Sequence, residues 1–110
     1  MGVFDDREKA QENKYFHDEE LRFRAISRRN KLFGRWVAGE LSISASEIDA
    51  YVATVVHADL EEAGDQDLIR KVLGDFRAKS KPMSEAQLKS RLEAAMREAI
   101  KQLEAEDMKT

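Results

Sequence analysis

Apolar residues recur along most of this chain at helical rather than strand spacing. Phe16, Phe23, Ile26, Phe33 and Val37 follow one another at intervals of seven, three, seven and four, which puts them on one helix face. Ala25, Leu32 and Trp36 widen that stripe. The pattern predicts a first helix from about Asp18 to Leu41, closed by Gly39 and the Ser-rich stretch that follows. A second helix should open on a capping box, with Ser44 accepting from the amide three residues on and Glu47 reaching back. Its apolar face is Ile48, Tyr51, Val52, Val55 and Val56, and Ala63-Gly64 closes the segment. Asp65 suits the cap of a third helix carrying Leu68, Ile69, Val72, Leu73 and Phe76. That helix ends in basic residues before Pro82. Ser84 and Gln87 form a second capping box. Leu88, Leu92, Ala95, Met96, Ala99 and Leu103 then give a fourth amphipathic stripe with Ile100 at its edge. Strict alternation of apolar and polar residues is nearly absent. The expected fold is therefore all-α, a four-helix bundle with short connections.

The first seventeen residues break the pattern. Between Phe4 and Tyr15 the only apolar residue is Ala10. Such a segment cannot bury enough surface to offset its own ordering entropy. Yet it favours a helix, with Asp5 and Asp6 suited to an N-terminus and Asp5 spaced to pair with Lys9. The expected organisation is a mobile, potentially helical tail over 1–17 and a bundle over 18–110. Such a tail would either fray or order on a partner.

Composition narrows the function. The 110 residues suit one domain, and 42% hydrophobic content allows a single core. With no cysteine, thiol chemistry and thiolate metal sites are excluded. A net charge of -3 argues against nucleic acid as a partner. No apolar run approaches membrane-spanning length and no signal-peptide core is visible, which points to a cytoplasmic chain. His17 and His57 lack metal spacing, and no Ser falls in a nucleophile motif, so neither a catalytic residue nor a metal site is expected. Trp36 reads as a core anchor.

Charge is segregated along the chain. Arg22, Arg24, Arg28, Arg29, Lys31 and Arg35 form an all-basic run, while Glu47 to Asp67 carries only acidic charge. The two runs can complement each other across antiparallel helices. Alternatively, Arg22, Arg28, Arg29, Lys31 and Arg35 offer a phosphate-binding face for ATP or ADP, although no Gly-rich loop accompanies them.

Phe4-Asp5-Asp6-Arg7-Glu8-Lys9-Ala10, Glu12-Asn13-Lys14 and His17-Asp18 are similar to the opening of the alphaproteobacterial zeta subunit family. The likeness continues through Arg28-Arg29-Asn30-Lys31-Leu32, Gly34, Trp36, Ala38 and Gly39, then Ala50-Tyr51, Val55-Val56, Asp59 to Gly64, Arg70 to Val72 and Gly74-Asp75. The resemblance implies a non-enzymatic inhibitor of ATP hydrolysis by F1FO-ATP synthase, without a cofactor. It implies that Phe4, Asp5, Asp6, Arg7, Glu8, Lys9, Ala10, Glu12, Asn13 and Lys14 order as a helix at a catalytic interface. The alpha, beta and gamma subunits of F1 would be the partners. The chain would be monomeric when free and peripherally associated with the membrane-bound enzyme. An ATP or ADP sensor, or a helical adaptor of another complex, is the alternative.

Overall fold

A computed structural model describes residues 17–58 and 65–108. Among them the chain forms α1 (Glu19–Glu40), a 3-10 turn (Ala45–Glu47), α2 (Ile48–Ala58), α3 (Gln66–Ala78) and α4 (Glu85–Met108). The all-α bundle expected from the periodicity is what the chain builds. Residues 4–14, the predicted inhibitory segment, lie outside the described residues, as does the Ala63-Gly64 stop.

Each helix packs on its neighbours in the ring α4–α1–α2–α3–α4. The main core joins Phe33, Val37 and Leu41 of α1 and its exit to Val55, Leu68, Ile69, Val72, Phe76, Leu88 and Leu92. Trp36 is half-buried against this core, with ring centroids 6.0 Å from Phe33 and 6.4 Å from Phe76. It serves as the anchor its sequence position suggested. Gly34 marks the closest approach of α1 to α2, since a Cβ built there would stand 3.4 Å from the Val52 Cα.

α1 and α4 are much longer than their partners, at 22 and 24 residues against 11 and 13 for α2 and α3. The excess forms an arm of two helices. Its own small core contains Ala25, Ile100 and Leu103, with Leu21 and Met96 packed against them. No residue of α2 or α3 belongs to that cluster.

This geometry corrects the predicted stripe on α1. Phe23 was expected on the buried face and is instead 66% exposed. Among the described residues this stretch packs on α4, and a helix with one such neighbour buries a narrow line, here Leu21 and Ala25. Where α1 meets two neighbours the stripe broadens as predicted, and Phe33 and Val37 are buried.

The helix ends also differ in detail from the sequence reading. Asp18 caps α1, with Leu21 N–H donating to Asp18 Oδ1 at 2.9 Å. Gly39 remains helical, and α1 stops when Ser42 enters the left-handed region at φ 57. There the amides of Ser42 and Ile43 donate to the carbonyls of Gly39 and Ala38 at 3.2 and 2.9 Å. Ser80, at φ 55, ends α3 in the same way, with the Ser80 and Lys81 amides donating to Arg77 and Phe76. The Ser84–Gln87 box forms reciprocally, at 3.0 and 3.1 Å. The Ser44–Glu47 box does not, because the Glu47 amide it requires is donated at 2.8 Å to the Ser44 carbonyl in the 3-10 turn.

Candidate functional site

Apart from Arg22, which is exposed, the basic run on α1 divides by helical phase into three groups. Arg24 and Arg28 face α4. Arg28 donates to Gln102 Oε1 at 2.8 Å and to both Glu106 oxygens at 2.9 and 3.0 Å, while Arg24 reaches Asp107 at 3.5 Å. These pairs set α1 and α4 antiparallel. They also supply the basic run with a partner that the sequence reading did not name, the acidic end of the last helix. The close spacing of Glu104, Glu106 and Asp107 was the available signal.

Arg29 forms the second group. It is 6% exposed and lies beside the equally buried Asn30. Its Nε donates to Asn30 Oδ1 at 3.0 Å, and its two terminal nitrogens donate to the Asp65 carboxylate at 2.8 and 3.3 Å. This two-point geometry fits a guanidinium to a carboxylate. It explains why Asp65, which stands at the cap of α3, makes no side-chain cap bond there. Of the predicted complementarity between the basic run and the acidic stretch after it, Arg29–Asp65 is the clearest instance among the described residues.

Lys31 and Arg35, one turn apart, face α2. With Asp49, Val52, Ala53, Val56 and His57 they line an open groove of about 470 Å³ between α1 and α2. The α2 residues at 49, 52, 53 and 56 repeat at helical spacing and make its apolar floor and acidic corner. That spacing was visible in the sequence, but only Val52 and Val56 were singled out there. Neither Lys31 nor Arg35 makes an ion pair among the described residues. The groove thus offers two cations, an imidazole and an apolar surface, a set suited to a flat ligand carrying negative charge. Arg22, Arg28 and Arg29, the rest of the predicted phosphate-binding set, are absent from its lining.

A third polar cluster ties α2 to α3. Tyr51 donates its hydroxyl to Asp75 Oδ2 at 2.6 Å, and Lys71 donates to the same oxygen at 2.6 Å. The Lys71 ammonium also lies 5.0 Å from the centre of the Tyr51 ring. Burial, then the hydrogen bond to Asp75 and its negative charge, hold the Tyr51 hydroxyl well above the ordinary tyrosine range. No group of acidic or histidine side chains among the described residues is arranged to hold a metal ion. None of their helices is long and apolar enough to cross a membrane.

The comparison with known families decides how these parts are to be read. The model of the family described as ATPase inhibitor subunit zeta matches residues 1–102. This chain belongs to that family. The match takes in the segment 4–14 as well as the bundle. Zeta-family membership makes the chain a regulatory subunit associated with ATP synthase. A protein whose structure was solved by solution NMR is 48% identical to this zeta-family chain. The similarity covers 78% of this chain and 98% of that one, with a TM-score of 0.69. No curated protein matches the chain.

Proposed function

We propose that this zeta-family protein inhibits ATP hydrolysis through residues 4–14, which order as a helix at a catalytic interface of F1. The observation that carries this reading is the family match, which extends without a break from residue 1 into the fourth helix. The segment itself has the right chemistry. It joins one aromatic, Phe4, to a dense set of charges from Asp5 to Lys14 and has little that could fold it alone. Catalysis by F1 requires the interfaces between alpha and beta subunits to open and close as the gamma subunit turns. A helix that binds one state of such an interface better than the others opposes the cycle by its differential affinity. The bundle then serves to hold that helix near its site.

The test is steady-state ATPase of purified cognate F1 with intact protein and with protein lacking the residues before Tyr15. The truncated form should lose inhibition while keeping a cooperative thermal transition, because Phe33, Val37, Val55, Val72, Phe76 and Leu88 of the main core all lie after the truncation point. Equal inhibition by both forms would refute the tail mechanism.

A second activity is favoured by the α1–α2 groove. Lys31 and Arg35 stand there without ion-pair partners among the described residues, beside an apolar floor, which supports ATP or ADP as a regulatory ligand. Titration with ADP should perturb the amides of Lys31, Arg35 and His57, and Lys31→Glu with Arg35→Glu should abolish the response. Unchanged spectra would remove this reading.

A further inference from the structure

The large apolar side chain that stands exposed among the described residues is Phe23, and the packing of the arm does not use it. Leu21 and Ala25 already close α1 against Ile100 and Leu103, and Phe23 points off that line. Its neighbour Arg22 is exposed too. Arg24 and Arg28 are paired with Asp107 and Glu106, whereas the Arg22 side chain makes no ion pair among the described residues. An accessible aromatic beside an accessible guanidinium is the residue pairing that concentrates binding energy in protein interfaces.

Position supplies the occupant. The described chain begins two residues before α1, so the segment 4–14 enters the fold through the arm. Phe23 stands nine positions after Lys14, a span of at most about 30 Å even when fully extended. A surface that holds residues 4–14 therefore comes within reach of Phe23. The charge next to Phe23 also sets the partner's chemistry, since an accessible guanidinium favours a carboxylate at the edge of the contact.

We propose that Phe23 and Arg22 form a second docking point for the ATPase. Phe23 enters an apolar pocket on the enzyme subunit beside the one that receives residues 4–14, and Arg22 meets a carboxylate at the pocket's rim. The inference rests on the tail reading above and extends it. The arm becomes part of the inhibitor, and it raises the local concentration of the tail at its site.

The experiment titrates purified cognate F1 with intact protein, Phe23→Ala, Phe23→Leu, Arg22→Glu, the form lacking residues before Tyr15, and that form with Phe23→Ala. Binding and ATPase are read on the same samples. Phe23→Ala should weaken binding roughly tenfold or more, Phe23→Leu should retain most of it, and the thermal midpoint should not move. Arg22→Glu should weaken binding in a salt-dependent manner. The truncated form should keep weak binding that Phe23→Ala removes. Full-strength binding and inhibition by Phe23→Ala would overturn the second docking point, whatever the truncation does. Undiminished inhibition by the truncated form, with binding still dependent on Phe23, would overturn the tail reading and keep this one. Failure of the intact protein to bind F1 would overturn both.

Discussion

The two halves of α1 are built from the same kinds of residue and live in different surroundings. From Arg29 to Leu41 the helix and its exit are enclosed by α2 and α4, and the apolar side chains Phe33, Val37, Ala38 and Leu41 are buried. From Glu19 to Arg28 the helix packs, among the described residues, on α4, and Ala25 is its buried apolar residue. Each half carries a phenylalanine, Phe33 at 1% exposure and Phe23 at 66%. The enclosed half is held by apolar packing. The arm is held by a short apolar seam and by Arg24 and Arg28 reaching across to α4. Burial thus follows the number of neighbours a helix has and not its composition.

The sharpest way to break this comparison is to truncate both phenylalanines. Phe33→Ala should cost about 3–5 kcal/mol, because it opens a cavity in the main core. Phe23→Ala should stay within about 0.5 kcal/mol of the native protein, as surface changes usually do. Urea denaturation measures both, and similar values would erase the distinction between the two halves. Overpacking comes next. Gly34→Leu should cost roughly 1–3 kcal/mol, since a Cβ there already touches the Val52 backbone. The same replacement at Gly39, where a Cβ meets nothing within 4 Å, should leave stability nearly unchanged.

The two arginine types sharpen the contrast at smaller scale. Arg29→Met should lose about 1–3 kcal/mol, since it removes charge-assisted bonds from a buried site. Arg28→Met should lose about 0–1 kcal/mol, since its pair with Glu106 is half-solvated. Added salt should narrow the second difference more than the first.

The smallest effect is a pH dependence confined to the enclosed end. The fold raises the Tyr51 hydroxyl above its ordinary value of 10.0, so it favours the protonated form. That contribution is complete below pH 10 and is lost as the pH climbs through the folded-state value. The stability advantage of the native protein over Tyr51→Phe should therefore shrink between pH 9 and pH 11, as read by thermal melts. An advantage that grew across this interval would contradict the Tyr51–Asp75 bond.

Much of this architecture was legible in the residues. The periodic stripes of the third and fourth helices carry over to buried Leu68, Ile69, Val72, Phe76, Leu88, Leu92 and Ala99. α1 starts next to Asp18, as the periodicity indicated, and the Ser84–Gln87 box forms as local chemistry predicts. What stayed hidden depends on tertiary competition. Asp65 gives its carboxylate to a buried guanidinium instead of to a cap, and nothing local announces that Arg29 will be buried. Phe23 matched the stripe by spacing, but spacing carries no information on how many helices will pack alongside. The groove was half legible: Lys31 and Arg35 were among the candidate cations, whereas their separation from Arg28 and Arg29 follows from helical phase relative to neighbours known only in the fold.

The antiparallel arm also has a mechanical side. An unbroken α1 of 22 residues extends about 33 Å from its cap to its end. A force drawing Glu19 along the helix axis would slide α1 past α4. That sliding loads the Arg24 and Arg28 contacts, the Ala25 seam and the Phe33 packing together. A force at right angles would open the same contacts one after another from the free end. Contacts loaded in parallel share the strain, while contacts loaded in series fail singly. The bundle is therefore stiff along α1 and compliant across it, so the direction of a pull decides how firmly it holds.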